Sequence, residues 1–496
     1  MRLCVVLLLA TWPLLTTAET LLIKGGTVVN AEDEQRADVL VKDGKIAQVA
    51  SGLKTPKGAV VVDANGKYVM PGGIDPHTHL EFLMGGRTGV DDFHSGHRAA
   101  LAGGTTFHID FVLPLEGDMM KGLKNYWDKA SNALMDYGFH MAVLEWSDKV
   151  AKDMATVVEA GVNSFKFFFA YKGAFMVTDE TYLKGLMRCK ELGALPMIHA
   201  ENGDAIEIMQ GLLYNQGIRG PEGHSLSRPA FIEGEGTGRA VRLARLVNAP
   251  LYVVHVNSRD AALEIEAGLE AGQRLWGEAL AGGIALTDEP CFSPDFKKAA
   301  AHVMSPPLRS KSHQVHLKQA LASGKLQLIA TDHCGWNSSQ KAAGRHDFRA
   351  IPNGIHGIEE RLHVAWEDLV NSDMISRSDF VRLTSTEAAK AFGIYPDKGV
   401  IAPGSDADII ILDPEKKHVL SAARHFSNID TSVYEGKSIK GQVVTTISRG
   451  RIAFADGQIK LKAGAGRCSA AALAGVRRYM LYAPSSRAGL FGWRSR

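Results

Sequence analysis

Residues 72–80, GGIDPHTHL, end a short apolar run with two histidines, His77 and His79, that lie two positions apart. Residues two apart in a β-strand point to the same face, so both imidazoles can reach one ion. Neutral imidazole is a good ligand for Zn²⁺. Further apolar runs follow in order and also carry ligand-type side chains at or near their ends: Lys166 in NSFKFFFA, His199 in LPMIHA, His255 in LYVVHV and Asp332 in LQLIATD.

Ligand-type side chains at the ends of successive apolar runs are typical of a parallel (β/α)8 barrel, in which catalytic residues lie at the carboxyl ends of the strands. Eight strand candidates alternate with amphipathic stretches: IDPHTH, TTFHIDFV, HMAVLEW, NSFKFFFA, LPMIHA, LYVVHV, RLWGEA and LQLIATD. Short strand-like runs separated by turn residues occupy both chain ends. We therefore expect a TIM-like α/β barrel at 76–395 and a small β-sandwich domain built from 19–75 and 396–463.

Composition indicates an ordinary soluble globular enzyme. The chain has 496 residues, 45% hydrophobic and 22% charged, and its net charge of +2 gives no case for nucleic-acid binding. Residues 464–496 are basic and favour a solvated or partner-binding tail.

The first residues have the pattern of a secretory signal peptide. Arg2 precedes the apolar run 3–15, and small residues follow at 16–18. The alternatives are an apolar strand or an organellar leader. We expect entry into the secretory pathway, with a cytoplasmic protein as the alternative, and no membrane span, because no run is long enough.

Cysteine usage predicts no disulfide framework, because the five residues Cys4, Cys189, Cys291, Cys334 and Cys468 show no paired spacing. The sequon at Asn337 follows Asp332 closely. A glycan there would obstruct a site formed around Asp332, so we expect the sequon to be unused.

Lys166 is the most informative of the candidate ligands. A lysine among the aromatic residues of SFKFFFA is an expensive bare cation, and burial lowers its pKa and makes the neutral amine available. Such an amine can add CO₂ to form a carbamate, which is an anionic ligand. The structural alternatives are an ion pair or a snorkelling lysine. His199 and His255 taken singly could equally be hydrogen-bonded core histidines.

Several segments together resemble the cyclic amidohydrolase family that includes the dihydropyrimidinases and hydantoinases, and most closely its plant-type members. The resemblance covers about residues 20–460. It is carried, in order, by PGGIDPHTHLE, residues 161–172, HAENGD, YVVHV, MSPPLR, TDHC and IPNG.

This resemblance implies a fold, a pair of zinc ions and a reaction. His77, His79 and Asp332 would bind one zinc ion, His199 and His255 the other, and carboxylated Lys166 would bridge them. A bridging hydroxide would hydrolyse the ring amide of dihydrouracil or dihydrothymine to the corresponding N-carbamoyl-β-amino acid, in reductive pyrimidine catabolism. Asp332 would carry the proton.

The same resemblance assigns substrate contacts. Tyr171 would bind the oxyanion, and the backbone groups of Ser305 and Asn353 would hold the ureide edge of the ring. Without the resemblance, Tyr171 would be read as a core aromatic residue and the other two as turn residues. Family members are commonly homotetramers, so a homotetramer is expected.

The sequence departs from the family pattern at three places near these motifs. Asn257 stands where methionine is usual, Gly335-Trp336 replaces Thr-Phe after TDHC, and ALAGG follows Glu278 where a Pro-Val type continuation is common. These changes leave every predicted ligand in place but put the substrate range in question.

Two alternatives remain open. One is a hydantoinase or allantoinase acting on five-membered cyclic ureides; dihydroorotase is disfavoured because no matched arginine is evident. The other is a non-catalytic scaffold resembling the collapsin response mediator proteins, which have lost metal ligands. Occupation of all six ligand positions in this sequence favours an enzyme.

Overall fold

A computed structural model of the chain describes residues 20–469. The predicted leader and residues 470–496 of the predicted tail lie outside this range. The described chain begins with five strands of a β domain: β1 (Leu21–Val29), β2 (Glu34–Lys42), β3 (Lys45–Ala50), β4 (Val60–Asp63) and β5 (Tyr68–Pro71). The turn between β2 and β3 consists of Asp43 and Gly44, both with positive φ, as a two-residue hairpin of type I′ requires.

Ten strands follow, of which eight form the barrel. They are β6 (Gly73–Thr78), the hairpin strands β7 (Leu83–Met84) and β8 (Arg87–Thr88), then β9 (Thr105–Val112), β10 (Asp136–Ala142), β11 (Ser164–Phe168), β12 (Leu195–His199), β13 (Leu251–Val256), β14 (Leu275–Leu280) and β15 (Leu328–Ala330). The barrel sheet runs β15-β14-β13-β12-β11-β10-β9-β6, and its pairs are parallel. Every residue of these eight strands is buried, as expected for parallel strands covered on both faces.

Side chains complete the barrel between its last and first strands. Thr331, next to β15, donates to both carboxylate oxygens of Asp75 on β6, through its amide and its hydroxyl. The amide of His79 donates to the carbonyl of His333 at 2.9 Å. Arg361 is fully buried beside this seam and donates to the carbonyl of Ile329. The predicted TIM-like barrel is therefore confirmed.

The eight predicted strands all correspond to barrel strands, and one is displaced along the sequence. The run HMAVLEW predicted a strand at 140–146, whereas β10 spans Asp136–Ala142. Asp136 and Gly138 resemble turn residues, but Asp136 is buried and its charge is paired with Lys398. That ion pair could not be seen from the local sequence.

Fifteen α-helices lie within the described range, most of them around the barrel. They are α1 (Phe93–Ala102), α2 (Met119–Lys129), α3 (Asp148–Glu159), α4 (Asp179–Leu192), α5 (Gly203–Asn215), α6 (Glu222–Leu226), α7 (Ala230–Leu246), α8 (Arg259–Glu270), α9 (Ala281–Ala285), α10 (Phe296–Ala301), α11 (Lys311–Ala322), α12 (Ser338–Lys341), α13 (Arg361–Ala365), α14 (Arg377–Val381) and α15 (Glu387–Ala391). None of these helices has both the length and the hydropathy needed to cross a membrane.

Helix α4 has ordinary capping residues at both ends, whereas α15 continues an earlier helical run. The hydroxyl of Thr178 caps α4, and Gly193 ends it in the left-handed conformation. Residues 385–387, Ser-Thr-Glu, have the composition of a helix start, but Thr386 is itself helical within the π-helical turn Arg382–Thr386. The helical run begins at Arg377 instead, where Ser376 forms a capping box with Asp379.

The C-terminal part of the chain returns to the first sheet. Strands β16 (Ile409–Val419), β17 (Ser438–Ser448), β18 (Arg451–Ala455) and β19 (Gln458–Ile459) extend it in the order β19-β18-β17-β16-β5-β1-β2-β3, with β4 paired to β1. The β domain is thus a nine-stranded sheet from both chain ends. After it, the amide of Arg467 donates to Asp136, so the first part of the predicted tail packs against the barrel.

Lys398 joins the two parts of the fold. Its Nζ lies 2.5 Å from Asp408, 3.1 Å from Asp406 and 3.1 Å from Asp136 at the start of β10. Burial disfavours the charged amine, but the carboxylates of Asp408, Asp136 and Asp406 outweigh it and raise the pKa of Lys398. One cation therefore neutralises carboxylates from both domains.

Replacing Lys398 by methionine is expected to destabilise the protein by about 3–5 kcal/mol, because buried carboxylates lose their counter-ion. Thermal or denaturant unfolding measures this change. The control is Lys390→Met, whose ion pairs are 3.9 Å long, with an expected loss below about 0.5 kcal/mol. Equal losses in the two variants would contradict the role assigned to Lys398.

Candidate active site

A cleft of about 430 Å³, including its mouth, opens at the carboxyl ends of the barrel strands. Apart from His77, all the predicted site residues line it: His79, Lys166, Tyr171, His199, His255, Ser305, Asp332 and Asn353. His77 lies beneath His79, with their Nε2 atoms 3.3 Å apart. Residues separated by up to 276 positions in the sequence (His77 to Asn353) therefore meet in one place.

His77, His79 and Asp332 form a compact donor set. Asp332 Oδ1 lies 3.2 Å from His77 Nε2 and 3.1 Å from His79 Nε2. The Nδ1 atom of His77 is directed at Glu278 Oε1, so the ring proton is best placed there and the Nε2 lone pair faces Asp332. Lone pairs and a carboxylate oxygen that converge in this way fit a divalent cation.

His199 and His255 form the other side of the site, with ring centroids 4.4 Å apart. His199 Nε2 lies 2.9 Å from Glu201, which leaves Nδ1 available as a ligand atom. Burial lowers the pKa of His199, and it lowers the pKa of His255 well below its ordinary value. Both imidazoles therefore remain neutral, which is the form that binds metals.

Lys166 is almost fully buried at the centre of this arrangement. Its Nζ lies 4.4 Å from the centre of the Phe111 ring, which itself packs on His77 and His79. Burial lowers the pKa of the amine to about 7, although Asp332 acts in the opposite direction. Near neutral pH, a large share of the amine is thus uncharged and nucleophilic.

Tyr171, His255 and Asp332 share an uncommon backbone conformation. Their φ angles are 64°, 40° and 54°, in the left-handed region that non-glycine residues rarely adopt. Such strain persists where the surrounding structure imposes it, and it is concentrated at functional sites. For Tyr171, burial also raises the pKa of the hydroxyl, so it stays protonated and can donate a hydrogen bond.

A model of the amidohydrolase family matches residues 68–453. The chain belongs to the amidohydrolase family. It is 53% identical over 448 residues to a dihydropyrimidinase from Arabidopsis thaliana, covering 90% of this chain and 84% of the relative. It is 43% identical to a D-hydantoinase from Geobacillus stearothermophilus, covering 90% and 96%. The crystal structure of a dihydropyrimidinase from Brevibacillus agri superposes with a TM-score of 0.90 at 42% identity, covering 92% of this chain and 99% of that one.

Several residues that orient the site of this amidohydrolase were missed by the sequence analysis. Glu278 on β14 is fully buried and accepts hydrogen bonds from the His255 amide at 2.9 Å and the Tyr252 hydroxyl at 2.5 Å, besides its contact with His77. Glu201 orients His199 and is paired with Arg228 at 3.0 Å. Glu278 is a charged residue within an apolar run. The same signal identified Lys166 and could have identified Glu278.

Two of the departures from the family pattern fit each other. The Asn257 side chain is buried, and its Oδ1 would lie 2.4 Å from a Cβ at position 283. Gly283, within the unusual ALAGG segment, is therefore the residue that makes room for Asn257. A third departure, Gly335, also leaves room for a neighbouring side chain, because a Cβ there would lie 2.3 Å from Ile429.

A second group of ligand-type residues, His356, Glu360 and His425, lies outside the cleft. The amide of Val433 donates to His356 Nε2, so the ring proton is on Nδ1 and is directed at Glu360. A metal ion cannot use an Nδ1 atom that carries a proton. His356 and Glu360 therefore form an imidazole–carboxylate pair.

Replacing Glu278 by glutamine is expected to weaken divalent-cation binding about 10- to 100-fold, because His77 loses the carboxylate that orients its ring. Competition with a chelator, followed by metal analysis, measures the change. Glu270→Gln removes an exposed carboxylate paired with Lys325 and should have no effect. Unchanged cation affinity in Glu278→Gln would contradict the orienting role.

Proposed function

We propose that the protein is a zinc-dependent dihydropyrimidinase, which hydrolyses the ring amide of dihydrouracil and dihydrothymine. The observation that carries this proposal is the meeting of His77, His79 and Asp332 with Lys166, His199 and His255 at one cleft, with His77 just beneath its wall. The similarity to proteins named dihydropyrimidinase, at 43–53% identity over 90% of the chain, supports it further. The products are N-carbamoyl-β-alanine and N-carbamoyl-β-aminoisobutyrate.

The proposed cofactor is a pair of zinc ions. His77, His79 and Asp332 would hold one ion, His199 and His255 the other, and Lys166 would contribute to both. Two such ions supply a hydroxide nucleophile near neutral pH and polarise the substrate carbonyl. Imidazole and carboxylate donors suit zinc, but they also accept Mn²⁺ or Co²⁺.

Lys166 acts as a ligand after carboxylation. The neutral amine attacks CO₂, a new N–C bond forms, and one proton leaves, which yields a carbamate with two oxygen donors. The lowered pKa of Lys166, about 7, supports this step because it keeps the amine nucleophilic near neutral pH. The aromatic surroundings favour replacing a buried cation by an anion that is bound to metal.

Asp332 and Tyr171 carry the proton and the developing charge. The carboxylate of Asp332 accepts the proton of the attacking water and passes it to the departing ring nitrogen. The hydroxyl of Tyr171 donates to the carbonyl oxygen as it becomes negative. The backbone of Ser305 and Asn353, both in the wall of the cleft, would hold the ureide edge of the ring.

The alternatives are separated by one set of assays. A hydantoinase or allantoinase would prefer a five-membered ring, and the similarity to a D-hydantoinase favours testing this alternative. A scaffold protein would hydrolyse none of these compounds and would bind no zinc. Rates with dihydrouracil, hydantoin and allantoin, measured on one metal-quantified sample, distinguish the three. Fastest turnover of dihydrouracil is expected, and fastest turnover of a five-membered ureide would overturn the proposal.

Replacing Lys166 by alanine is expected to remove both metal ions and the activity, because the bridging carbamate cannot form. A short carboxylic acid should restore part of the activity by standing in for the carbamate. The control is Lys184→Ala, which removes an exposed lysine paired with Glu180. Full zinc content and an unchanged rate in Lys166→Ala would exclude the carbamate.

Carboxylation also predicts a pH dependence. With a Lys166 pKa of about 7, the neutral amine makes up roughly a tenth of the total at pH 6 and nine tenths at pH 8. At a fixed concentration of dissolved CO₂, reactivation of the metal-free protein by zinc should therefore be faster at pH 8.

Replacing Tyr171 by phenylalanine is expected to lower kcat about 100-fold with the zinc content retained, because one donor to the oxyanion is lost. Steady-state kinetics and metal analysis on the same preparation measure both quantities. Tyr214→Phe changes a tyrosine outside the cleft and serves as the control. An unchanged kcat in Tyr171→Phe would exclude the oxyanion role.

Assembly and location are proposed as well. A homotetramer is the assembly that the family resemblance implies. Helix α5 offers an apolar surface for one subunit contact, because Ile208 is 63% and Leu212 49% exposed, one turn apart on the same helix face. Light scattering of the purified protein tests the homotetramer, and a monomeric mass would contradict it.

The pattern of residues 1–18 supports entry into the secretory pathway. Finding the protein in the cytoplasm with residues 1–18 still attached would contradict this location.

A further inference from the structure

Buried side chains hold the two backbone segments that would receive the substrate. The first segment contains Ser305 and the second contains Asn353. Four donors from other parts of the fold each bind a carbonyl in or beside these segments: Lys341, His224, Asn257 and Trp336.

Lys341, at the end of α12, connects the two segments directly. Its Nζ donates to the carbonyl of Val303 at 2.8 Å and to the carbonyl of Gly354 at 2.8 Å. Val303 lies two residues before Ser305, and Gly354 immediately follows Asn353. The Gly354 amide also donates to Val303, at 3.0 Å. One amine therefore fixes the distance between the two strips of backbone.

The environment of Lys341 indicates that this contact is its main interaction. The residue is 3% exposed, and among residues 20–469 no carboxylate lies within ion-pair distance of its Nζ. Burial lowers the pKa of the amine to about 7. Burying a lysine without a carboxylate is costly, so its hydrogen bonds to the two carbonyls must offset that cost.

Trp336 holds the Asn353 segment at a second point. Its indole Nε1 donates to the carbonyl of Asn353 at 2.9 Å, and the side chain is 2% exposed. Phenylalanine, the usual residue here in the family pattern, has no such donor. This bond occupies one side of a carbonyl whose second lone pair remains available to a substrate N–H.

The Ser305 segment is held in the same way on both sides of Ser305. The His224 ring donates through Nε2 to the carbonyl of Met304 at 2.8 Å. The carboxamide of Asn257 donates to the carbonyl of Pro306 at 2.9 Å. With its neighbours fixed, the peptide groups of Ser305 have little freedom to rotate away from the cleft.

We infer that Lys341 and Trp336 are positioning residues that set the width of the slot between Ser305 and Asn353, and so determine which cyclic ureides fit. This inference rests on the proposed function, because the slot is defined by the ureide that enters it. Neither residue lines the reacting centre as a ligand or proton carrier. Their effect should therefore appear in substrate affinity and ring-size preference.

The test compares Lys341→Met with the wild-type holoenzyme, using dihydrouracil and hydantoin as substrates. We expect an increase of about 10-fold in KM for dihydrouracil, a kcat within about 3-fold of the wild type, and unchanged zinc content. The ratio of kcat/KM between the two substrates should also change. Lys297→Met, an exposed lysine on the neighbouring helix α10, is the matched control and should leave these values unchanged.

A lower melting temperature with unchanged KM and unchanged substrate ratio would overturn the inference, because it would assign Lys341 to stability alone. Trp336→Phe keeps the ring and removes only the N–H, so it remains informative if Lys341→Met does not accumulate. We expect about a 3-fold higher KM for dihydrouracil in that variant, and an unchanged KM would overturn the inference. A wild-type protein that hydrolyses neither substrate would overturn the proposed function, and this inference with it.

Discussion

The contact of Asp332 with His77 and His79 is the interaction on which the site depends. It joins the two ends of the barrel sheet, because Asp332 follows β15 and the histidines end β6. The Asp332 carboxylate and the two Nε2 atoms lie within 3.1–3.3 Å of one another, an arrangement that fits a cation between them. The residues that close the barrel are therefore also the candidate cation ligands.

The buried polar residues around this contact have a common purpose. Asp75 accepts from Thr331 beneath the site, Glu278 orients His77, and Arg228 neutralises the carboxylate beside His199. Each of these buried carboxylates has a partner from another part of the chain, which orients the candidate ligands. Lys341 extends this principle to the backbone segments of the substrate pocket.

Much of the fold could be predicted because its signals are local. Near-continuous apolar runs identified all eight barrel strands, and ligand-type residues at their ends identified the cleft. The misplaced features depended on distant partners. Strand β10 begins at Asp136 because Lys398 neutralises that carboxylate from 262 positions away. The helical run at 377–391 continues through Thr386 because the hydroxyl of that residue bonds the carbonyl of Gly399 instead of capping a helix.

Dependence on distant partners also limited what could be predicted of the site. The predicted ligands were recognisable from their positions in the runs, but Glu201, Arg228 and Lys341 act through contacts that only the folded chain creates. Glu278 could have been predicted from its position in an apolar run, but the sequence analysis did not single it out. The fit between Asn257 and Gly283 likewise joins two departures that looked unrelated in the sequence.

The most direct test is metal content and dihydrouracil turnover measured on one purified sample. The proposed function predicts about two zinc ions per subunit and a hydrolysis rate that falls and recovers as the metal is removed and restored in the presence of CO₂. A protein that binds no divalent cation and stays inactive after treatment with zinc and CO₂ would contradict it.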